Sequence, residues 1–170
     1  NFPRYWRSFH FIVIFLEGGS KTKDADIISK FINISQKFKD LKFFIKTHPI
    51  LPLKKLDIKI PNNFEVLNDD FSSIAKKTFI AVSYGNTSAI LESLSYGCNL
   101  IVPYDNILDK KNLSTFKIKK NFFKVCDNNF EIINAINFFV STKNSQRLKN
   151  RDKIKNIFFN KISKKTLSIF

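Results

Sequence analysis

The sequence predicts an α/β fold, a Rossmann-like doubly wound parallel sheet of five or six strands with helices on both faces. Strand-like apolar runs alternate with helix-like patterns along the 170 residues, and polar turns follow the strand-like runs. Such alternation is typical of parallel sheets whose strands are joined by helices. The length and the 44% hydrophobic content suit one domain with a full core. We predict this domain over residues 1–142 and a basic amphipathic C-terminal helix over residues 143–170.

The first half of the chain contains three predicted strands and two predicted helices. The apolar run that begins at Phe9 is uninterrupted, as expected for a strand covered on both faces. The second strand stops before His48 and Pro49 because proline cannot continue a sheet. Asp69 or Asp70 is expected to cap the second helix. The strands are predicted at residues 9–16, 41–46 and 64–67, and the helices at residues 24–38 and 71–77, with a polar connection at residues 52–63.

The second half repeats the alternation. A strand and a tight turn at Gly85 and Asn86 lead to a helix that begins at Ser88 and stops at Gly97, the residue type that favours a helix end. The remaining predictions are strands at residues 79–83, 100–102 and 122–125 and a helix at residues 130–140. In the basic tail, apolar residues share one side of a helix: Ile154, Ile157, Phe158 and Ile162.

The formal charge of +15 makes nucleic acid a candidate partner. The lysines, however, are spread along a chain that is also rich in Asn, Ile and Phe, and no aromatic residues are interleaved with them in an RNA-binding pattern. We therefore predict no nucleic acid partner. The one basic concentration is residues 143–165, where nine Lys or Arg residues accompany a single acid, Asp152. This segment predicts either contact with an anionic membrane surface or an acidic partner, or an ordinary solvated helix face.

The two cysteines and the apolar runs indicate where the protein is found. Cys98 and Cys126 are too few for a disulfide scaffold and lack metal-binding spacing, so we expect reduced, partly buried thiols. No apolar run approaches the roughly 18 to 20 residues that cross a bilayer, and no secretory signal is recognisable. We predict a cytoplasmic protein, with association at the inner face of the membrane as an alternative.

Most polar features fall after predicted strands, where ligands bind in doubly wound sheets. Gly18, Gly19 and Ser20 follow the first strand, and such residues let a backbone approach a phosphate closely. They form neither a dinucleotide-binding fingerprint nor a Walker A motif, and an ordinary strand–helix turn is the alternative. Residues 103–106 follow a later strand in the same way. We expect one cleft at this edge, with the turn after Ser83 next to the glycine turn.

The helix after the fourth strand is the second phosphate candidate. Unpaired N–H groups and the dipole at a helix start attract anions, and Thr87 and Ser88 add hydroxyl groups there. Glu92 stands one turn beyond Ser88 on the same face, where it could accept hydrogen bonds from a ribose. Ordinary N-capping by Thr87 and Ser88 is the alternative.

Lys46 and His48 end the second strand at the same edge. A His48 imidazole in the cleft could donate to a nucleotide phosphate and stabilise it as a leaving group, or it could be a structural residue bonded to backbone. His10, in the first strand, is interpreted as structural. The acid pairs Asp24/Asp26 and Asp69/Asp70 precede helices, where acids are favoured, so we predict no metal site.

The sequence contains the motifs EGGS, KTHP and SYGNTSAILESLSYGCNLIVP, in this order. Over residues 9–140 the chain resembles the C-terminal domain of GT-B glycosyltransferases. The closest similarity is to enzymes of bacterial surface-polysaccharide synthesis that carry an HP motif and a serine motif. The resemblance implies that His48 contacts the donor phosphate and is catalytic, that Ser83, Thr87 and Ser88 hold phosphate, and that Glu92 binds the ribose. Gly18, Gly19 and Ser20 match the phosphate-side loop, and Lys46 and Asn86 complete the predicted substrate-binding set.

The resemblance also implies a two-domain enzyme whose N-terminal acceptor domain is not part of this sequence, so we expect a fragment with little activity alone. Glu17 lies too close to His48 to match the family's catalytic base, which we expect in that domain. The predicted function is metal-independent transfer of a sugar from a CMP- or UDP-linked donor, without a cofactor, to a polysaccharide or glycolipid acceptor. A nucleotide-sugar 2-epimerase and a non-catalytic nucleotide-binding module are the alternatives. The epimerase is disfavoured because residues 84–87 lack an acid and paired glycines.

Overall fold

Six parallel strands form the sheet in our computed structural model, which describes residues 11–56, 58–83, 87–103, 122–142, 146 and 148–156. The strands are β1 Phe11–Phe15, β2 Lys42–Lys46, β3 Phe64–Val66, β4 Thr78–Ser83, β5 Asn99–Pro103 and β6 Phe123–Cys126. The helices are α1 Lys21–Ser35, α2 Ser72–Ala75, α3 Thr87–Ser95 and α4 Asn129–Ser141, with a short 3-10 helix at Leu53–Lys55. The order across the sheet is β3-β2-β1-β4-β5-β6. This arrangement confirms the predicted Rossmann-like doubly wound fold.

Helices cover both faces of the sheet, and each face has its own apolar core. On one face, α1 and α4 pack over alternate residues of the central strands. On the other face, α2, α3 and the buried Ile154 pack over the residues between them. Strands buried on both faces need apolar residues at consecutive positions, which explains the uninterrupted run in β1.

The ends of two helices differ from the sequence-based predictions. α1 begins three residues earlier than expected, at Lys21, because Ser20 is extended and its Oγ accepts a hydrogen bond from the Lys23 N–H at 3.4 Å. The expected Asp69 or Asp70 side-chain cap of α2 is wrong. Instead, the carbonyl oxygen of Asp70 accepts from the N–H and the hydroxyl of Ser73, at 3.0 and 2.8 Å. A backbone carbonyl group, rather than an aspartate side chain, therefore accepts the hydrogen bonds at the start of this short helix.

The segment after α4 is helical at residues 148–156 and packs against the domain. The Arg151 guanidinium donates to the carbonyl oxygens of Ala75 and Lys76, at 2.7 and 2.8 Å, just where α2 ends. Gly97 ends α3 with φ +73°, as predicted, and a Cβ there would lie 2.6 Å from the Arg151 carbonyl oxygen. Ile154 is buried as its position on the apolar side predicts. The residues Ile157, Phe158 and Ile162 lie outside the described part of the chain, and the proposed domain boundary stays a prediction.

Cys98 and Cys126 are both free, as predicted, and both are buried rather than only partly buried. Burial raises the pKa of each thiol to about 12. Among the described residues, no helix combines the length and apolar character required to cross a membrane.

Candidate functional site

The carboxyl ends of β1 and β4 lie side by side at the centre of the sheet, where Phe15 pairs with Ser83. The chain leaves β1 for α1 on one face and leaves β4 for α3 on the other. Two connections that diverge in this way leave a crevice between them, which is the usual ligand site of doubly wound sheets. The predicted position of Ser83 at the same sheet edge as the glycine turn is confirmed, whereas the turn after Ser83, at residues 84–86, lies outside the described residues.

The turn after β2 meets the turn after β1 through Gly18 and His48. Gly18 has φ +72°, and a Cβ built on it would lie 2.5 Å from Cγ and 2.8 Å from Nδ1 of His48. Both the backbone conformation and the space therefore require glycine at this position. The structure thus brings His48 to the glycine turn, as the expectation of a single cleft requires.

The imidazole of His48 is held by its own turn. The Ile50 N–H donates to Nδ1 at 3.3 Å, and the Leu51 N–H donates to the His48 carbonyl oxygen at 3.0 Å. A ring nitrogen that accepts from a backbone N–H carries no proton, so this hydrogen bond assigns the proton of the neutral ring to Nε2. In this tautomer Nε2–H is the hydrogen-bond donor of the ring.

Asp24 has a role that the sequence analysis missed. Its carboxylate is fully buried and accepts from the N–H groups of Glu17 and Gly18, at 3.1 and 3.0 Å. Asp24 lies in the first turn of α1, where the sequence analysis expected an acid, and in addition it already bonds these two amides within the protein. The available signal was an acid four residues after the helix cap Ser20, close enough to reach back to the preceding turn.

The first turns of α3 carry the other predicted site residues. Thr87 is the first residue of this helix, and Ser88 and Glu92 are exposed one turn apart. Ser83 is fully buried at the end of β4. Asn86 lies outside the described residues. The structure therefore places a hydroxyl and a carboxylate on one exposed face of the helix that borders the crevice.

Lys46 and Glu92 belong to a small group of charges beside the crevice. The Lys46 ammonium donates to the Asp69 carbonyl oxygen at 2.8 Å. Partial shielding from water raises the pKa of the Glu92 carboxyl, the negative charge of Asp70 raises it further, and Lys46 opposes both. Lys46 is thus held by backbone while its charge acts on Glu92, which the sequence alone did not indicate.

The predicted absence of a metal is not decided by these observations. Within the described ranges, no three His, Cys, Asp or Glu side chains come together as a metal site would need. Asp24 is bonded to backbone amides, and Asp26 forms an ion pair with Lys30 at 2.6 Å. Metal independence stays a prediction.

Similar folds are found among solved structures. The glycotransferase of kitacinnamycin superposes with a TM-score of 0.64 at 12% identity, over 94% of this chain and 41% of the other. CalG4, the calicheamicin glycosyltransferase, has a TM-score of 0.63 at 14% identity, over 90% and 38%. The Methanocaldococcus jannaschii UDP-GlcNAc 2-epimerase, in complex with UDP-GlcNAc and UDP, has a TM-score of 0.60 at 15% identity, over 82% and 41%. No protein-family model and no curated protein sequence matches.

These similarities define the class of fold. The chain has the Rossmann-like fold found in GT-B glycosyltransferases and UDP-GlcNAc 2-epimerases, and it spans about two fifths of the length of those proteins. Identities of 12 to 15% establish the fold alone.

Proposed function

We propose that this chain is the donor-binding domain of a GT-B glycosyltransferase, which transfers a sugar from a nucleotide-activated donor. The observation that carries the proposal is the set of groups around the β1–β4 crevice. His48 lies against Gly18 on one side, and α3 begins with exposed Ser88 and Glu92 on the other. A nucleoside phosphate needs anion-stabilising donors and a ribose acceptor, and both kinds of group are available on the elements that border this crevice.

The donor phosphates fit the start of α3. A helix start has a positive dipole end that attracts anions, and Ser88 adds an exposed hydroxyl group in the first turn of α3. The Nε2–H of His48 would supply a further donor from the opposite side. We assign the phosphate to this helix because Asp24 already occupies the Glu17 and Gly18 amides of the glycine turn. Gly18 then supports His48, while Gly19 and Ser20 border the site.

The ribose fits beside Glu92. A carboxylate accepts two hydrogen bonds at once, which matches the two neighbouring hydroxyls of a ribose. The raised pKa of Glu92 indicates that this carboxylate, although exposed, is partly shielded from water and repelled by the charge of Asp70. Donors from a ribose would offset that repulsion. Lys46, held on the Asp69 carbonyl, would balance the charge of Glu92 rather than contact the phosphate directly.

The reaction follows from these positions. An acceptor hydroxyl forms a bond to the anomeric carbon as the bond from that carbon to the donor phosphate breaks, and the phosphate leaves with the electron pair. His48 and the N–H groups of α3 would stabilise the negative charge on the departing nucleotide, so that no metal is required. The proton of the acceptor hydroxyl goes to a general base, which we assign to an acceptor domain beyond these residues.

The proposal also includes the acceptor of the sugar and the location of the enzyme. We assign a glycan or glycolipid of the bacterial surface as acceptor, because the HP and serine motifs resemble enzymes of that synthesis. Within the described segment at 148–156, the exposed lysines Lys149 and Lys153 face outward while Ile154 is buried. Such a face would suit an anionic membrane surface at the cytoplasmic side.

A UDP-GlcNAc 2-epimerase is the second candidate, because three of the similar structures are epimerases of this kind or bind UDP. Incubation with UDP-GlcNAc in D₂O separates the two functions. An epimerase introduces solvent deuterium at C2 of the sugar, whereas a transferase leaves C2 unlabelled and slowly transfers the sugar to water. Deuterium at C2, detected by NMR, would replace our proposal with the epimerase.

Calorimetric titration of the chain with UDP, CMP and their 2′-deoxy forms tests the proposal directly. We expect one ribonucleotide to bind, and its deoxy form to bind about 1 to 3 kcal/mol more weakly, because one hydrogen bond to a charged acceptor is lost. Equal binding of the ribo and deoxy forms would contradict the role of Glu92. Absence of binding, both by this chain and by a longer chain with an acceptor domain, would contradict the function.

A further inference from the structure

We propose that Asp24 is a positioning residue that fixes the tautomer and orientation of His48 through Gly18. Asp24 is fully buried and has no access to a substrate in the crevice. Its two carboxylate oxygens hold the N–H groups of Glu17 and Gly18, at 3.1 and 3.0 Å. The inference rests on the proposed function in one respect only, that His48 contacts a nucleotide phosphate.

The first step of the argument is the turn after β1. Two successive N–H groups point to one carboxylate, so Asp24 occupies the position that a bound anion would take in a phosphate-binding loop. The start of α1 supports this charge, because the Asp24 N–H is bonded to the carbonyl oxygen of Ser20 at 3.0 Å and the helix dipole favours an acid there. The conformation of the turn is therefore set by the protein itself, with no ligand needed.

The second step is the contact from this turn to the imidazole. Gly18 is held with φ +72°, and its missing side chain leaves the space that Cγ and Nδ1 of His48 occupy. The ring is confined between Gly18 and the Ile50 N–H, which donates to Nδ1. With Nδ1 used in this way, the proton stays on Nε2, and the free edge of the ring is a donor. Asp24, Gly18 and Ile50 together leave His48 with a single donor atom.

Nitrogen NMR of the full chain labelled with ¹⁵N-histidine tests the inference without any ligand. The sequence has only two histidines, and the signals that vanish in His48→Ala belong to His48. We expect wild type to show an unprotonated Nδ1 and a protonated Nε2. Asp24→Asn replaces one acceptor oxygen by an NH₂ group that faces a backbone N–H, so the turn moves and the two tautomers of His48 become mixed. Nucleotide affinity is expected to fall about fivefold or more.

Gly18→Ala is the second variant, because it leaves Asp24 intact and acts on the contact itself. It is expected to mix the His48 tautomers in the same way as Asp24→Asn. Each variant has a matched control on a neighbouring residue. A Cβ on Gly19 meets only Glu17 side-chain atoms at 3.9 Å, and Asp26 is paired with Lys30 on the outer side of α1. Gly19→Ala and Asp26→Asn should therefore leave the His48 signals unchanged.

The outcomes separate this inference from the proposed function. Unchanged His48 signals in folded Asp24→Asn or in folded Gly18→Ala would overturn the positioning role. If the signals change as expected and no nucleotide binds to wild type, the positioning role stands and the proposed function fails. If affinity falls in Asp24→Asn and Gly18→Ala but not in Asp26→Asn, both are supported; Gly19→Ala serves as a control for the His48 signals alone.

Discussion

The two ring nitrogens of His48 have different environments, and this difference determines what the residue can do. Nδ1 accepts from the Ile50 N–H, so protonation of this nitrogen would break that hydrogen bond. In the proposed function the ring would therefore donate from Nε2, because Nδ1 is engaged by the Ile50 N–H. A neutral donor still stabilises a leaving phosphate, because the hydrogen bond strengthens as negative charge develops there.

His48→Ala tests this donor. We expect nucleotide binding to weaken by about 1.5 to 3 kcal/mol, the value of a hydrogen bond to a charged group. Calorimetry with UDP and CMP measures the effect. Ile50→Ala is the matched control, because Ile50 is 73% exposed and its backbone N–H is retained. Unchanged affinity in folded His48→Ala would make His48 a structural residue.

Glu92→Gln tests whether the protein keeps an unfavourable carboxylate for a ligand. The raised pKa of Glu92 means that the folded state prefers the protonated form, so the ionised form lowers stability at neutral pH. This cost disappears as the pH falls through the raised pKa. We therefore expect Glu92→Gln to be as stable as wild type or more stable near pH 7, with no difference in acid, and to lose its preference for ribonucleotides. Lower stability at pH 7 in thermal unfolding would contradict the expectation.

Asp70→Asn is a direct test of the cause of that pKa shift. Removal of the neighbouring negative charge is expected to lower the pKa of Glu92 toward its ordinary value, whereas Lys46→Gln is expected to raise it, because Lys46 opposes the shift. Carboxyl ¹³C NMR titration of Glu92 in the two variants measures both directions. Shifts of the same sign in both variants would refute this electrostatic interpretation.

Single residues show where prediction from the sequence succeeds and where it ends. Gly97 could be placed at a helix end because its requirement is local, and the structure confirms it. The position of Asp24 at a helix start could be predicted, but its hydrogen bonds could not, because its partners, Glu17 and Gly18, are known only once the turn is folded. The contact between Gly18 and His48 joins residues 30 positions apart, so no local pattern contains it.

At the scale of elements, the alternation of strands and helices could be read from the sequence because hydrophobic periodicity reports which faces are buried. All six strands were predicted within about two residues of their observed ends, the usual uncertainty of a boundary. The strand order could not be derived in this way, since it depends on which parallel neighbours pair across the sheet. The predicted aspartate cap of α2 was wrong because the backbone carbonyl oxygen of Asp70, not an aspartate side chain, accepts the hydrogen bond from the first turn of this helix.

Arg151→Ala tests an unpredicted connection between two elements, the segment at 148–156 and the end of α2. The guanidinium donates to two carbonyl oxygens, of Ala75 and Lys76, and its loss leaves both without these donors. We expect the free energy of unfolding to fall by about 1.5 to 3 kcal/mol, as for hydrogen bonds to a charged group. Urea denaturation measures it, with exposed Lys153→Ala as the control. A change equal to that of the control would show that Arg151 does not secure this segment.

At the scale of the whole molecule, one sheet serves two cores. Val13 and Ala81 face the core under α2 and α3, while their neighbours Ile12, Ile14 and Ile80 face the core under α1 and α4. Because the same strands line both cores, disruption of the sheet on one face also removes the strand residues that line the core on the other face. The two faces should therefore unfold together, and the central crevice should be as stable as the domain itself.

The cysteines report on this cooperativity because each belongs to a different core, Cys98 to that of α3 and Cys126 to that of α4. With a thiol pKa of about 12 in the folded state, only about one thiol in ten thousand is ionised at pH 8, so labelling proceeds through opening of the structure. We expect iodoacetamide to modify both residues at the same urea concentration, measured by mass spectrometry of the peptides. The midpoint should match that of the loss of circular dichroism. Modification of Cys126 well before Cys98 would show that the face covered by α4 opens alone.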